Sequence, residues 1–372
     1  MIIITTQCFA PKIGGIESLM TGMAEALSNE KKEVLVLADG KKERNVKKGY
    51  EIRRFNAWKP IRRIQKAIYL KKICKEKNVD CIIADSWKSI EYLSDLNIKI
   101  LVLAHGTEIP KQYWNYVFST LRFKKNRIIS SYANAHTIIA NSNYTKELMH
   151  VSLKIDYKKI EVIHPGIDIY DGFILKSDKQ RIDKIIKNRF PVLTTLARVE
   201  ERKGHSYVLN AVSKLKNEFP NILYLIAGQG PYLNEIKSLT IKLKIEKEIV
   251  FLGWITEPEK SVVLKNSDIF IMTPKIVGES VEGFGMAFID AAFHGVPSIG
   301  TKSGGIQDAI INFETGIICE SENQENITIN IRKILSDNQL RKTMGLNGKR
   351  RAESLFTWKK KVKEYIEIID QK

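Results

Sequence analysis

Two carboxylates flank a glycine-rich turn in the segment EGFGMAFID, residues 282–290. Glu282 opens the turn, a helix is expected to begin at about Gly285, and Asp290 follows on its second turn. A helix start has free backbone N–H groups and positive potential, which together attract an oxygen-rich ligand. Two carboxylates so placed can accept hydrogen bonds from sugar hydroxyls. The segment alone also fits a capped helix with two solvated acids, so the rest of the chain has to decide.

Two cations, Arg198 and Lys203, follow the predicted strand Val192–Ala197. A doubly wound sheet binds its ligands beyond the carboxyl ends of its strands, which is where these side chains are expected. An arginine fork and a lysine point charge together can neutralise a diphosphate. A solvated basic loop is the alternative, and it is ordinary in a chain with 60 Lys and Arg residues.

Two further positions stand at predicted strand ends. His105 follows the strand Ile100–Ala104, where it can make a polar contact with a substrate, although a structural histidine fits equally well. Gly14 and Gly15 separate the first strand from an amphipathic helix, an arrangement that presents backbone amides to a phosphate. The three-glycine dinucleotide fingerprint is absent, so the glycine pair alone is a weak signal.

Short apolar strands alternate with helical stretches along the whole chain, a pattern typical of parallel, doubly wound α/β sheets. The length of 372 residues favours two domains at about 150 residues each. Pro165 and Gly166 break the pattern, and a polar, basic stretch follows them. We predict an acceptor-side domain over 1–168, a linker over 169–190, a nucleotide-sugar domain over 191–356, and a last helix over 357–372 that can return to the first domain. Further strands are predicted at Val34–Ala38, Val79–Ala84, Thr137–Ala140, Ile160–Ile163, Ile222–Ala227, Ile249–Leu252, Asp268–Met272 and Pro297–Gly300.

Composition narrows the class of protein. Hydrophobic content of 44% and charged content of 27% are ordinary for a soluble enzyme. No apolar run approaches the roughly 18 residues that span a bilayer, and the first residues lack a signal-peptide pattern. The four cysteines lack metal or redox spacing, so we expect reduced thiols and a cytoplasmic location. The formal net charge of +18 favours anionic partners: nucleotide phosphates, a membrane surface or nucleic acid.

The positive charge is concentrated in the first domain. Ten Lys or Arg residues and one acid lie between Arg53 and Lys77. The helical periodicity there puts Ile61, Ile64 and Ile68 on one face and Arg62, Arg63 and Lys66 on the opposite face. We expect this surface to attract an anionic membrane, mainly through its charge, because the isoleucine face can already be committed to the core. The alternative is that the isoleucine face packs on the domain's own sheet and the basic residues are only solvated.

A second basic stretch, Lys111 to Arg127, carries five basic residues and no acid. Its aromatic residues make it a further candidate for an interfacial surface. These aromatic residues are Tyr113, Trp114, Tyr116, Phe118 and Phe123.

In order and spacing, these positions resemble the retaining glycosyltransferases of family 4, which have the GT-B fold: two Rossmann-like domains whose parallel sheets face each other across a cleft. The resemblance runs almost from end to end, and each piece of it is modest by itself. The matching pieces are Gly14-Gly15, His105-Gly106, Asn141-Ser142, Pro165-Gly166-Ile167-Asp168, Arg198 with Lys203, Gly228-Gln229-Gly230-Pro231, Phe251-Leu252-Gly253, Glu282 with Asp290, Gly295-Val296-Pro297 and Ser303-Gly304-Gly305.

The resemblance implies a role for each matching residue. Arg198 and Lys203 would bind the donor diphosphate, and the backbone at Gly15 would approach it. His105 would contact the transferred sugar or the departing phosphate. Glu282 would hold that sugar together with the turn that follows it. The residues of this turn are Gly283, Phe284, Gly285 and Met286.

The nucleoside end of the donor has two implied contacts. Trp254 and Ile255, after the strand that ends at Gly253, would flank the nucleobase through their backbone. Asp290 stands where the family usually has a glutamate that holds the ribose hydroxyls. Because aspartate is shorter by one methylene, this contact needs a water molecule or a closer loop.

The resemblance implies a metal-independent hexosyl transfer that retains the anomeric configuration and needs no cofactor. The implied donor is a UDP- or GDP-sugar. The basic, aromatic surface of the first domain favours a lipid or lipid-linked glycan acceptor at the inner face of an anionic membrane. A nucleotide-sugar epimerase on the same fold is the first alternative, but it leaves the basic aromatic surface unexplained. A nucleic-acid-binding protein is the second, and the sequence has no helix-turn-helix, zinc or RNA-recognition signature. Nucleic acid is therefore not an expected partner.

Overall fold

The computed structural model describes residues 1–41, 48–109, 119–170, 172, 174–278 and 280–371, with the main chain alone for 119–122. The chain divides into two compact units. Unit 1 comprises Met1–Asp168 together with Phe356–Lys372, and unit 2 comprises Ile169–Leu355.

Unit 1 is built on a parallel sheet of seven strands in its described residues, with the spatial order β3-β2-β1-β4-β5-β6-β7. From β1 the strand order continues to β2 and β3 on one side and to β4 through β7 on the other. The order therefore reverses between β1 and β4, and sheets of this kind bind their ligands at such a switch point. The strands are β1 (Ile2–Thr6), β2 (Val34–Asp39), β3 (Glu51–Phe55), β4 (Cys81–Ala84), β5 (Lys99–Ala104), β6 (Thr137–Ala140) and β7 (Ile160–Val162).

Helices cover both faces of this sheet. The C-terminal helix (Trp358–Asp370) packs against the first helix of the unit. The Trp358 ring lies so close to Gly22 and Gly166 that a Cβ there would come within 2.1 Å and 2.5 Å of it. Both positions therefore require glycine. The other helices of unit 1 are α1 (Gly15–Asn29), α2 (Lys59–Glu76), α3 (Ser119–Ala133) and α4 (Asn143–Leu153).

Unit 2 has a second parallel sheet, of six strands in the described residues, with the order β10-β9-β8-β11-β12-β13. Its strands are β8 (Val192–Leu196), β9 (Leu223–Ala227), β10 (Ile249–Gly253), β11 (Ile269–Ile271), β12 (Ser298–Thr301) and β13 (Gly316–Cys319). Its helices are α5 (Lys176–Ile186), α6 (His205–Leu215), α7 (Leu233–Lys242), α8 (Glu257–Lys265), α9 (Met286–Phe293), α10 (Ile306–Ala309), α11 (Gln324–Ser336) and α12 (Asn338–Leu355).

The prediction of an α/β protein with two Rossmann-like parallel sheets is confirmed. The sequence pattern missed two edge strands. β3 has the sequence EIRRF and is largely exposed, so it lacks the apolar run that marked the other strands. β13 has only four residues and begins with glycine, which weakens any strand signal.

The stretch 169–190, predicted to be a linker, contains the helix α5 of unit 2. Ile182 on α5 is fully buried, and Arg181 forms an ion pair with Glu259 of α8. The helix carries mostly charged residues, which explains why it has no strand signal and why its sequence resembles a linker.

The isoleucine face of α2 does not pack on the sheet of unit 1. Ile61, Ile64 and Ile68 are 50%, 45% and 63% exposed, whereas Lys66 is 2% exposed. The sheet-facing side of the helix is formed instead by smaller or later residues such as Ala67 and Leu70.

A buried carboxylate at the end of β2 explains why the basic face of α2 points inward. Asp39 is 3% exposed, and its two oxygens lie 2.8 Å from Lys66 Nζ and 2.7 Å from Arg62 Nη2. Lys66 also donates a hydrogen bond to the carbonyl of Thr6 (3.0 Å). A buried charge requires a partner, so these cations turn inward and the isoleucines face outward.

Two observations bear on the membrane prediction. Residues 110–118 lie outside the described part of the chain, and they include Tyr113, Trp114, Tyr116 and Phe118 of the second basic stretch. Among the described helices, none has the length and apolar character needed to cross a bilayer.

Candidate active site

Glu282 lies in the turn before α9, and the loop after β12 fixes its backbone. Gly305 N donates to the Glu282 carbonyl (2.9 Å), and a Cβ on Gly304 would lie 2.0 Å from the same oxygen. Gly285 precedes α9 in the left-handed region, with φ of +91°, where a Cβ would also collide with the Phe288 ring. Gly285 and Gly304 are therefore required by the local geometry.

The Glu282 carboxylate is bound by two cations from the turn after β8. Its Oε2 atom lies 2.5 Å from Lys203 Nζ and 3.0 Å from Arg202 Nη1. Burial by itself would raise the pKa of this carboxyl, but the charges and hydrogen bonds of Lys203 and Arg202 outweigh it and lower the pKa. Glu282 is therefore an oriented, ionised acceptor at neutral pH, as a residue that binds sugar hydroxyls needs to be.

Sequence reasoning missed Arg202. It lies next to Lys203 in a short 3₁₀ turn, Glu201–Lys203, and its Nε atom donates to Glu200 Oε2 (2.9 Å). Its carbonyl accepts a hydrogen bond from Lys275 N (2.8 Å), which fixes the turn. The sequence indicated a role for Arg202 only through its position next to Lys203, because the family motif includes Arg198 and Lys203 but not Arg202.

Arg198 is placed differently from Lys203. Its side chain is 68% exposed, and Nη1 lies 3.1 Å from Glu200 Oε1. Glu200 thus connects Arg198 to Arg202, and through Arg202 to Glu282. Arg198 and Lys203 are close in sequence and belong to one connected set of charges, but they contact different carboxylates.

Asp290 lies on α9 with its own partner. Its Oδ1 atom accepts from Lys260 Nζ of α8 (3.0 Å), and Lys260 is also 2.7 Å from Glu257 Oε2. Burial raises the pKa of Asp290, and Lys260 offsets this only in part. Glu282 and Asp290 thus have separate partner sets. The ribose contact of Asp290 stays a prediction, and Lys260 is a second residue that the sequence did not reveal.

The other residues predicted to bind the nucleotide sugar lie in the turn before α9 and directly after β10. Phe284 is buried and Met286 is the first residue of α9. Ile255 follows β10 and packs partly into the core, whereas its neighbour Trp254 is 57% exposed. The roles of these residues and of Gly283 stay predictions.

His105 belongs to unit 1 and ends β5. Its Nε2 atom lies 2.9 Å from the Asp85 carbonyl, and its backbone N donates to Glu108 Oε1 (2.7 Å). A carbonyl can only accept, so we assign the proton to Nε2, which makes Nδ1 the acceptor nitrogen. The ring is nearly buried at the carboxyl edge of the sheet, at the position expected of a substrate contact.

Gly15 is the first residue of α1 and is exposed. Its helix start presents free amides at the carboxyl end of β1, as the phosphate prediction requires.

No three His, Cys, Asp or Glu side chains in the described ranges are grouped so that they could hold a metal ion.

Both halves of the chain match models of known families. Residues 13–170 match the model described as Glycosyltransferase Family 4, and residues 176–351 match the model described as Glycosyl transferases group 1. The two matches together cover nearly all of the chain and include every residue of the candidate site.

A full-length relative is the GDP-mannose-dependent alpha-(1-6)-phosphatidylinositol monomannoside mannosyltransferase of Mycolicibacterium smegmatis. It is 23% identical over 99% of this chain and 98% of its own length. Two solved structures share the fold. Sucrose-phosphate synthase from Thermosynechococcus elongatus has a TM-score of 0.81 at 17% identity, covering 99% of this chain and 98% of that one. HepE of Anabaena, in complex with UDP, has a TM-score of 0.78 at 17% identity, covering 99% of both chains.

Proposed function

This chain belongs to the glycosyltransferases of family 4 and has their GT-B fold, and we propose that it is a retaining enzyme that transfers a sugar from a nucleotide sugar to a membrane lipid or lipid-linked glycan. The observation that carries the proposal is the ion cluster of unit 2. In it Lys203, the cation expected to bind the diphosphate, forms an ion pair with Glu282, the carboxylate expected to hold the sugar.

The ammonium of Lys203 has three N–H donors. One bond to Glu282 leaves two donors for a phosphate oxygen, so a single side chain can bind both ends of the sugar-phosphate bond. Arg202 keeps Glu282 oriented while Lys203 is engaged. Arg198, exposed and next to the same turn, supplies the second cation for the diphosphate.

In the proposed reaction the bond between the anomeric carbon and the phosphate oxygen breaks, and its electron pair stays with the nucleoside diphosphate. An acceptor hydroxyl oxygen bonds to the anomeric carbon from the same face, and its proton passes to a departing phosphate oxygen. The cations stabilise the charge that develops on the leaving group. Removing a preorganised donor of this kind costs about 3–4 kcal/mol of transition-state stabilisation. No metal and no cofactor takes part.

The donor is a UDP- or GDP-sugar. The Mycolicibacterium smegmatis relative uses GDP-mannose by its name, and HepE of Anabaena was solved with UDP. These names favour a nucleoside diphosphate and leave the base and the sugar open.

The lipid acceptor is supported by the outward face of α2. Trp58, 74% exposed, precedes Ile61, Ile64 and Ile68, all of them exposed, while Lys72 extends the same face. An aromatic residue, an apolar stripe and a lysine on one helix face are typical of a helix that lies in the membrane interface. We propose peripheral binding to the inner, cytoplasmic leaflet, with apolar insertion added to electrostatic attraction.

A direct test incubates the purified protein with radiolabelled UDP- and GDP-sugars, with and without extracted lipid. We expect label to enter the lipid fraction from one nucleotide sugar, with nucleoside diphosphate released in equal amount. NMR of the product should show the anomeric configuration of the donor. An inverted product would refute the retaining mechanism, and a changed nucleotide sugar without transfer would indicate an epimerase.

A further inference from the structure

A lysine of unit 2, Lys260, lies between two carboxylates. Its Nζ atom is 3.0 Å from Asp290 Oδ1 and 2.7 Å from Glu257 Oε2. Burial by itself would lower the pKa of Lys260, but the two carboxylates outweigh it and raise the pKa. The lysine is therefore an ammonium at neutral pH, and both partners orient it.

A second contact holds the same two helices together. His294, one turn after Asp290 on α9, lies 2.8 Å from the Asp290 carbonyl through Nδ1. Its Nε2 atom lies 3.1 Å from Ser261 Oγ on α8. A carbonyl can only accept, so we assign the proton to Nδ1, and Nε2 accepts from the Ser261 hydroxyl. Because α8 and α9 meet at both contacts, Lys260 and Asp290 form a preorganised pair.

This pair has hydrogen-bonding capacity beyond its contacts within the protein. An ammonium has three N–H donors, and the two carboxylates engage two of those of Lys260. Among the described residues of unit 2, none donates to Oδ2 of Asp290. The side chains of Lys260 and Asp290 are 20% and 18% exposed, so a ligand can reach both. A donor and an acceptor thus lie side by side.

The charges around Lys260 select the class of ligand. One ammonium and two carboxylates together are negative, so the group disfavours a phosphate. A neutral ligand with two adjacent hydroxyls fits, because one hydroxyl can donate to the carboxylate while the other accepts from the ammonium. The ribose of a nucleotide carries such a pair in its 2′- and 3′-hydroxyls.

We propose that Lys260 is a specificity-determining residue, which recognises the ribose diol of the donor together with Asp290. One ribose hydroxyl donates to Asp290 Oδ2, and the oxygen of the other accepts from the third N–H of Lys260. This inference rests on the proposed function and deepens it, because it adds a donor contact outside the family motif. It also accounts for the shorter acid: the ammonium, 3.0 Å from the carboxylate oxygen, reaches the hydroxyl that aspartate alone does not.

The positions of the two residues in unit 2 support this assignment. Lys260 is the fourth residue of α8, which begins two residues after Ile255, the predicted base contact. Asp290 is the fifth residue of α9, which begins at Met286 in the predicted sugar-binding turn. The pair therefore belongs to the two helices that follow these predicted contacts, and in a nucleotide sugar the ribose connects the base to the phosphates.

Titration calorimetry of the full chain with UDP, GDP and their 2′-deoxy and 3′-deoxy forms tests the contact. We expect the wild type to bind each deoxy form of its nucleotide about tenfold more weakly, because a hydrogen bond to a charged group is lost. Lys260→Met should bind the ribonucleotide about tenfold more weakly than the wild type does. It should also bind one of the two deoxy forms as well as it binds the ribonucleotide. A merely structural lysine would instead weaken all three ligands by the same factor.

The matched control is Lys265→Met, which removes an exposed lysine from the same helix and should leave every affinity unchanged. Lys260→Met leaves Asp290 without its cation, so a melting curve has to show that the variant is folded. If it is not, Lys260→Met combined with Asp290→Asn carries the same test, because removing both charges avoids an unpaired one. This double variant should lose discrimination against at least one deoxy form.

Unchanged discrimination against both deoxy forms in a folded variant would overturn the proposal. Equal binding of the ribonucleotide and its deoxy forms by the wild type would overturn it as well. Either result, together with labelled transfer by the wild type, would remove this contact alone. Absence of nucleotide binding and of transfer from any UDP- or GDP-sugar would count against the proposed function itself.

Discussion

Lys203 Nζ lies 2.5 Å from Glu282 Oε2, so the cation expected to bind the donor diphosphate is ion-paired with the carboxylate expected to hold the sugar. The two residues come from different segments, the turn after β8 and the turn before α9. Arg202 contacts the same oxygen from the side. In the proposed reaction this three-residue arrangement links leaving-group stabilisation to sugar binding.

Arg202→Gln should reduce kcat and move the acid limb of the kcat/KM profile to higher pH. The pKa of Glu282 is lowered by Lys203 and Arg202 together, and the ionised carboxylate is the form that accepts from sugar hydroxyls. Removing one cation raises that pKa, so activity is lost at a higher pH as the solution is acidified. The exposed Arg350→Gln is the control for loss of a charge in unit 2. An unmoved acid limb would show that Arg202 does not act on Glu282.

Asp290→Asn should weaken nucleotide binding more than it slows turnover at saturating donor. The variant keeps the shape of the side chain but removes the charge that Lys260 pairs with. Glu257→Gln, which removes the exposed partner of the same lysine, is the matched control. Titration calorimetry with UDP and GDP measures the affinity. Equal affinity in Asp290→Asn and the wild type would exclude the ribose contact.

Ile61→Ser combined with Ile68→Ser should reduce binding to anionic vesicles at least about tenfold, because burying each isoleucine stabilises binding by about 1.5–3 kcal/mol. The control is Ile241→Ser with Ile329→Ser, which removes isoleucines of comparable exposure, 63% and 49%, from unit 2. Co-sedimentation measures both. Part of the binding should survive at 1 M salt, where the Debye length is about 3 Å. Equal sedimentation of the two double variants would contradict insertion of α2.

Replacing Arg62, Arg63 and Lys66 by Glu should destabilise unit 1 as well as reduce its positive charge. Two of these residues neutralise the buried Asp39, so their replacement by Glu would leave that carboxylate with like charges. Removing one partner of a buried pair costs about 3–5 kcal/mol. We expect loss of the fold rather than clean release from membranes, which a melting curve detects.

The sequence predicted what repeats along the chain. Of the thirteen strands in the described residues, ten coincide with apolar runs that the sequence pattern marks as strands. An eleventh, β1, coincides with the apolar start of the chain. Arg198, Lys203 and Glu282 stood out because their spacing matched a family motif. These features are local, so one segment suffices to detect them.

What the sequence did not predict depends on contacts between distant segments. The isoleucines of α2 have core periodicity, but Asp39 draws the basic face inward, and nothing near residue 61 signals this. Arg202 and Lys260 gain their roles only because the segments around Glu282 and Asp290 fold against them. A contact of this kind becomes visible only when the sheet brings its loops together.

His205→Leu should flatten the acid dependence of stability. His205 is 1% exposed, neither ring nitrogen has a hydrogen-bond partner among the described residues, and burial, then Lys203, lower its pKa from 6.5 to about 4. In the unfolded chain His205 therefore binds a proton below pH 6.5, whereas in the folded chain it binds one only below about pH 4. Stability falls as pH drops through this window, by up to about 3 kcal/mol. Thermal melts across the window should fall less steeply in the variant, and parallel curves would refute the role.

The most direct measurement is the rate of labelled sugar transfer to lipid by the wild type, Lys203→Ala, Arg198→Ala and the exposed control Lys214→Ala, each in EDTA. We predict that the wild type and Lys214→Ala transfer at similar rates without metal. Lys203→Ala should lose about 10²–10³ in kcat while it remains folded, because one preorganised cation is gone. Arg198→Ala should lose activity sharply but keep the acid limb of Glu282. Near-normal transfer by folded Lys203→Ala, or no transfer by the wild type from any UDP- or GDP-sugar, would contradict the account.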